Sequence, residues 1–280
     1  MPKGVRVSSA VDVDDPPGAT RPDAGPGRRA GDLVRALARG IGQTLITVGL
    51  LALLFVVYEL WVTDILAGRQ QQQLSEEIQE QWADDPTVTT PGAPAAPAPP
   101  APLDVSLGQP FAVLHIPRLG EEWERVVVEG TAQVQLARGP GHYIGTALPG
   151  EHGNFAVAGH RVGRGGPFLD LDRLVPADAI VVETADHWYV YRVLGEAATG
   201  SFDGDPSGVP GRQIVSPEDV AAIAPTPGAA PDVPASGAYL TLTTCHPKYS
   251  AQQRLIIHAR LDGEPVSKAT APDGPPALVG

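Results

Sequence analysis

Cysteine occurs once in the 280-residue chain, at Cys245. A single thiol excludes an intrachain disulfide and any metal site built from several thiolates. Basic charge is also scarce: 20 Lys and Arg stand against 32 Asp and Glu, a net charge of −12. Such a surface cannot displace counterions from a phosphate backbone, so nucleic acid is excluded as a general partner. No internal repeat is present. No apolar run lies near the C-terminus, so neither a tail anchor nor a wall-sorting tail is expected. What the chain has in excess is Gly and Pro, 32 + 30 = 62 of 280 residues, against a usual share of about 12%. They gather in particular stretches and so mark its organisation.

Residues 1–39 read as a disordered segment. Asp14-Asp15-Pro16-Pro17-Gly18 and the Gly25-Pro26-Gly27 that follows lack apolar periodicity and bury too little to offset ordering entropy. Residues 40–62 read as a transmembrane signal anchor. Its centre, Ile41–Tyr58, is 18 residues without a charge, about 27 Å of helix, close to the bilayer hydrocarbon thickness. Gln43, Thr44 and Thr47 can return hydrogen bonds to the helix backbone, and Tyr58 and Trp61 suit the headgroup zone. A buried core helix and a cleaved signal peptide are the alternatives. The latter fits poorly, because no small-x-small cleavage site follows at once. Arg28, Arg29, Arg35 and Arg39 precede the span, whereas Glu59 and Asp64 follow it. The first 40 residues carry 7 basic and 5 acidic groups, or +2, leaving −12 − 2 = −14 for the rest. Positive-inside then predicts a cytoplasmic N-terminus and an extracellular remainder.

Residues 63–103 read as a helical stalk and a Pro/Ala-rich linker. Leu74, Ile78 and Trp82 recur every fourth residue among Gln and Glu, and a solvated stalk is favoured over a helix lying on the following domain. Pro91–Pro102 favours polyproline II and holds that domain up to about 37 Å from the membrane, at about 3.1 Å per residue. Residues 104–264 form the one domain large enough for a real core, and 265–280 read as a disordered tail. Within the domain, strands are predicted at Phe111–Ile116, Arg125–Glu129, Asn154–Gly159, Ile180–Glu183, Trp188–Leu194, Ala238–Thr244 and Arg254–Leu261, where Val, Ile, Leu, Thr and Tyr alternate with Gly/Pro punctuation. Short helices are expected after Pro167 and from Ser216, the latter with Ser as its cap. Many strands, few helices and no βαβ alternation leave a closed barrel or a sandwich.

Cys245 ends the strand-like run Tyr239-Leu-Thr-Leu-Thr-Thr-Cys245, which His246-Pro247-Lys248 breaks. It is either an inert buried thiol or a nucleophile presented at a strand end. An extracellular setting favours the second, since a free thiol there risks oxidation and packs little better than Ala or Val. A thiolate needs a base or a positive field beside it. Of the seven histidines, His160 is the most suggestive, at the end of Asn154-Phe-Ala-Val-Ala-Gly-His160 and before the Gly-rich Val162–Gly166. His246 is a poor partner, because strand neighbours point to opposite faces. Arg254 opens the next strand nine residues after Cys245. It points away from the apolar Leu255, Ile257, Ala259 and Leu261, so it is either a surface cation or a donor for an oxyanion.

Thr241-Leu242-Thr243-Thr244-Cys245, with Arg254 downstream and Asn154–His160 upstream, resembles the sortases, whose signature is TLxTC with a following Arg and a preceding His. The resemblance covers about residues 104–262. Tyr58–Asp64, Gly141–Gly150 and Thr244-Cys245-His246-Pro247 are similar to the class E sortases of actinobacteria. The resemblance implies a mainly β fold: a closed eight-stranded sortase-type β-barrel with short helices, preceded by the transmembrane helix. It also implies a cysteine transpeptidase that cuts a Leu-Ala/Pro-x-Thr-Gly sorting motif between Thr and Gly. Cys245 would attack and His160 would move the proton. Arg254 would hold the substrate and the oxyanion. Tyr143 would bias the motif toward Ala, its alternative being a barrel-packing aromatic. Thr244 would join the substrate site by shaping it. The implied partners are secreted proteins bearing the motif, the amine of a peptidoglycan precursor of the lipid II type, and the membrane through residues 41–58. No metal and no cofactor are expected.

Three other functions compete. An L,D-transpeptidase would show Ser-His-Gly-Cys with Arg two residues on, which this chain lacks. A pilin-polymerising sortase would carry a lid segment before the barrel. A tethered binding module would have no need of His160, Cys245 and Arg254 together.

Overall fold

A computed structural model of the chain describes residues 26–58, 63–84, 100, 103–203 and 205–279. The expectations for residues 1–25, for Trp61 and for most of the Pro/Ala linker lie outside the described residues. The chain divides into a unit that ends at Phe55 and a second unit from Val56 onward.

The first unit holds helix α1, Pro26–Val57. It begins well before residue 40, so the expected disorder of 1–39 is corrected over its last fourteen residues (39 − 25 = 14). Ala, Leu and Arg dominate Arg28–Arg39, and these are strong helix formers. Its Gly31–Val57 stretch is long and apolar enough to cross a membrane, and none of it is buried in the protein. The Thr44 hydroxyl donates to Gly40 O at 2.9 Å and the Thr47 hydroxyl to Gln43 O at 2.9 Å, so these polar side chains are satisfied within the helix.

The second unit is a β-barrel. Its strands are β1 (Pro110–His115), β2 (Glu124–Glu129), β3 (Gly141–His142), β4 (Gly153–Ala158), β5 (Ala179–Glu183), β6 (His187–Val193), β7 (Arg212–Val215), β8 (Ala238–His246), β9 (Gln253–Leu261) and β10 (Val266–Ser267). Eight of them form a ring in the order β6-β5-β1-β2-β3-β4-β8-β9. The ring closes where β9 meets β6, at Tyr191/Leu261 and Val193/Ala259. The same edge of β9 then continues against β7, from Arg212/Ile257 to Val215/Arg254. Two pairings are parallel, β2 with β3 and β4 with β8.

Strand alternation sorts the side chains. Phe155, Val157, Leu240, Leu242, Leu255, Ile257 and Ala259 face the barrel interior and pack with Leu114, Val127, Ile180 and Tyr191. The opposite parity of β4, β8 and β9 faces outward, and Cys245 belongs to it.

The seven predicted strands are present with boundaries moved by one or two residues. β3, β7 and β10 went unpredicted, since two to four residues give too little pattern. The two expected helices are single 3-10 turns, Leu171–Arg173 and Val220–Ile223. The second is capped by Asp219, whose side chain accepts from Ala221 N, rather than by Ser216.

Two expectations about the flanks are corrected. Helix α2, Thr63–Asp84, is no solvated stalk over its second half. Leu74 and Ile78 are each only 1% exposed and pack on the outward side chains Val113, Val126 and Val128 of β1 and β2, with Trp82 alongside. Gln71 ties the helix further: its Oε1 accepts from Val126 N at 3.0 Å and its Nε2 donates to Arg138 O at 2.6 Å. Gly139 makes room for this, since a Cβ there would lie 2.2 Å from Gln71 Nε2. The C-terminal stretch is not loose throughout either. β10 pairs with β6, and the Trp188 indole donates to Ala271 O at 3.0 Å. An apolar strand face and an indole N–H both need cover, and the flanks supply it.

Replacing Leu74 with Ala should destabilise the barrel unit by about 2–5 kcal/mol. Denaturant unfolding of the full chain in detergent, followed by tryptophan fluorescence, measures it. An unchanged midpoint would contradict the packing of α2.

Candidate active site

β8 lies between β4 and β9, and the two ladders run past Cys245 on either side. Ala158/Thr243 is the last pair of the parallel β4–β8 ladder. Beyond it, Gly159 N donates to Thr243 O at 3.0 Å and the Thr244 hydroxyl donates to Gly159 O at 2.8 Å. His160 and Cys245 each stand two residues past that pair, so the two half-buried residues leave neighbouring strands side by side. On the other edge, Cys245 and Arg254 are direct cross-strand partners, a relation that brings Cβ atoms within about 5.5 Å. The structure therefore brings together the three residues the sequence singled out.

Each is held differently. Gly159 lets Phe168 approach, since a Cβ there would meet its ring at 2.5 Å, and Phe168 N donates to His160 O at 3.1 Å. Nε2 of His160 is buried and has no hydrogen-bond partner among the described residues. Burial, and secondarily the positive charge of Arg164, hold the imidazole below its ordinary pKa of 6.5. Arg254 donates from Nη1 to Ala251 O and to Gln253 O, both at 3.0 Å. Its guanidinium is thus anchored at one nitrogen, with further donors to offer.

Tyr143 and Thr244 part company. Thr243 is two residues from Cys245 and shares its face, and the Tyr143 hydroxyl is 3.0 Å from Thr243 Oγ1. Tyr143 thus borders the thiol's face of β8. It leaves β3 beside His142, whose Nδ1 is 2.6 Å from Glu129 Oε2 and whose Nε2 is 2.8 Å from Thr146 Oγ1. Thr244 has the opposite parity and is buried. Its hydroxyl reaches the backbone that carries His160, donating to Gly159 O.

Further along the outward face, a polar chain fixes the floor. Gln213 Nε2 is 2.8 Å from His258 Nε2, and an amide nitrogen can only donate. The proton of His258 therefore sits on Nδ1, which donates to Thr241 Oγ1 at 2.8 Å. The Thr241 hydroxyl in turn donates to Asn154 Oδ1 at 2.7 Å. Burial lowers the pKa of His258 to about 3, so this ring is neutral.

Sequence reasoning missed Arg161. It is 3% exposed and reaches three groups: His246 Nδ1 at 3.0 Å, Cys245 O at 3.4 Å and Asp172 at 3.1 Å. It braces the backbone of Cys245 from behind the thiol. Lys248 adds a clamp to Asp170 at 3.3 Å. An arginine beside a Gly-rich loop gives no sign of burial, and its partners lie 11 and 85 residues away (172 − 161 and 246 − 161).

Residues 114–262 match the sortase domain family. Over 253 residues, 88% of its length, the chain is 35% identical to Sortase SrtE1 of Streptomyces coelicolor. The match covers 63% of that relative, so the chain spans less than two thirds of its length. Among solved structures, the SrtF sortase from Corynebacterium diphtheriae superposes with a TM-score of 0.58 and 41% identity, covering 65% of this chain and 98% of that one. Sortase E from Streptomyces avermitilis superposes with a TM-score of 0.50 and 38% identity, covering 62% and 99% respectively. The barrel with its TLTTC strand belongs to the sortase family. Within that family, its relatives place it with the class E sortases.

Replacing Arg164 with Gln removes a positive charge from the field at His160, so the imidazole pKa should rise. NMR titration of His160 measures it, and an unmoved or lowered value would contradict the electrostatic reading.

Proposed function

We propose that the chain is a membrane-anchored transpeptidase. It cleaves a Leu-Ala/Pro-x-Thr-Gly sorting motif between Thr and Gly and passes the acyl group to a cell-wall amine. The observation that carries this reading is the register of β8, which sets His160 and Arg254 on either side of Cys245. The thiolate of Cys245 attacks the Thr carbonyl carbon, and the resulting oxyanion takes hydrogen bonds from the free donors of Arg254. The C–N bond to Gly breaks as the leaving nitrogen takes the proton from the His160 imidazolium, leaving a thioester. An incoming amine attacks that thioester and gives its proton to the now neutral His160. The new amide forms and the thiolate departs.

The bare Nε2 of His160 supports this role. A buried nitrogen without a partner costs about 1–3 kcal/mol, and an amine in the site supplies the missing bond. The lowered pKa of His160 means that its imidazolium is a minor population at neutral pH. Tyr143 senses the second position of the motif, a reading supported by its hydroxyl lying 3.0 Å from Thr243 Oγ1 on the thiol's face. Helix α1 serves as the anchor, with the N-terminus cytoplasmic and the barrel outside, as its flanking charges favour. The substrates are secreted proteins bearing the motif, and the acceptor is an amine of a peptidoglycan precursor of the lipid II type.

The full chain in detergent, given matched Leu-Ala-x-Thr-Gly and Leu-Pro-x-Thr-Gly peptides, should cleave both after Thr and prefer the Ala peptide. Cys245→Ala should abolish cleavage, and survival of activity would overturn the nucleophile. Arg254→Ala should lower turnover by about 10²–10³-fold, and a wild-type rate would make Arg254 structural. Tyr143→Phe should shift the Ala-to-Pro ratio of kcat/KM by about fivefold, the loss of one hydrogen bond. An unchanged ratio would return Tyr143 to packing alone.

A further inference from the structure

Outside the face that carries Cys245, one cleft stands out. It has a volume of about 730 Å³ and opens between helix α2, the start of β2 and the loop that leaves His160. Gln72 and Ser75 line it from α2, Arg125 from β2, Arg138 from the approach to β3, and Arg164 and Gly165 from the His160 loop. The chain has 20 − 7 = 13 basic residues beyond residue 40, against an excess of acid. Three of those thirteen surround this one cleft.

The three arginines are differently committed. Arg138 is engaged by Glu77 at 3.0 Å and by Gly108 O at 2.6 Å, so it frames the cleft. Arg125 donates one Nη1 bond to Glu124 O at 2.6 Å and lies 5.1 Å from the Trp123 ring. The rest of its guanidinium remains for a ligand; burial lowers its pKa, partly offset by the charge of neighbouring Glu124. Arg164 closes the wall nearest His160. Glu76 and Glu124 also reach the cleft, so its field is mixed rather than purely positive. A bare polyanion is poorly matched to such a site. A ligand carrying both an amine and a carboxylate fits it better.

The position is as telling as the charge. The donor motif has its floor on the outward face of β4, β8, β9 and β7, around the thiol. The cleft lies on the opposite side of His160, over β2, which is three strands from β8 in the ring. At about 4.8 Å per strand that is about 14 Å, the reach of about four extended residues. A short peptide of that length, with its carboxylate at Arg125, would bring its amine to the strand that carries Cys245, past His160.

We infer that this cleft binds the second substrate of the transfer, as a short peptide amine whose carboxylate is held by Arg125. This rests on the transpeptidase reading above and adds to it where and by what chemistry the acceptor is held. Helix α2 is then one wall of the acceptor site as well as cover for β1 and β2. Acylation of Cys245 does not use the cleft, so changes there act on the second half-reaction alone.

The test compares tetraglycine with tetraglycine amide as acceptors for the full chain in detergent. Donor consumption, transfer product and hydrolysis product are followed together. The free carboxylate should give a KM about threefold to tenfold below that of the amide, and Arg125→Gln should erase the difference. Ser75→Trp, which fills the cleft from the α2 side, should divert product from transfer to hydrolysis while the acyl adduct on Cys245 forms at the wild-type rate. Equal KM values for the two acceptors, or unaltered partitioning in Ser75→Trp with normal acylation, would overturn the cleft as acceptor site. Absence of any acyl adduct in the wild type would instead overturn the transpeptidase reading, and this inference with it.

Discussion

The site depends on one strand being paired in two senses. β8 runs parallel to β4 and antiparallel to β9. A parallel neighbour ends at the same end of the sheet as β8 does, so the residue that leaves β4, His160, arrives beside the residue that ends β8, Cys245. An antiparallel neighbour begins where β8 ends, so Arg254 starts β9 opposite the thiol. His160, Cys245 and Arg254 thus stand in a row because of backbone hydrogen bonding, with no bond between their side chains required. The rest of the unit serves that row. The ring closure of β9 on β6 fixes β9. The chain from Gln213 through His258 and Thr241 to Asn154 locks the floor, and Arg161 holds the backbone of Cys245.

Much of this was legible in the sequence. Strands of five or more residues with clear alternation were found close to their true limits. The parity of β9 correctly put Arg254 on the side away from the core. The same parity argument, applied to Thr244, would have separated it from Cys245, but the signature TLTTC read as one motif concealed the two faces. Tyr143 was reached only through resemblance. Its link to Thr243 crosses 100 residues of sequence, a separation at which no local pattern operates.

The flanks show why cover is hard to read from pattern alone. Leu74, Ile78 and Trp82 mark a helix with an apolar stripe, but the stripe alone does not name its partner surface. Val126-Val127-Val128 was the available sign. Val127 enters the barrel core whereas Val126 and Val128 point outward, and a strand apolar on both faces requires something on each. The Pro/Ala composition after Glu264 similarly outweighed a single Val266 and hid the pairing of β10. In this chain the barrel's outer surface is extended by segments whose own composition looks like linker. Here the covering helix α2 also frames the cleft that Arg164 of the His160 loop lines.

The proposed transfer requires Cys245 to lie between a proton carrier, His160, and an anion holder, Arg254. A crystal structure of the chain with a Leu-Ala-x-Thr peptide joined to the thiol through a thioester-like mimic examines that placement directly. The expected structure has the carbonyl oxygen within hydrogen-bond reach of the Arg254 guanidinium and the His160 imidazole on the opposite side of the sulfur. An adduct whose oxygen points away from Arg254, with that side chain still bonded only to the carbonyls of Ala251 and Gln253, would contradict it.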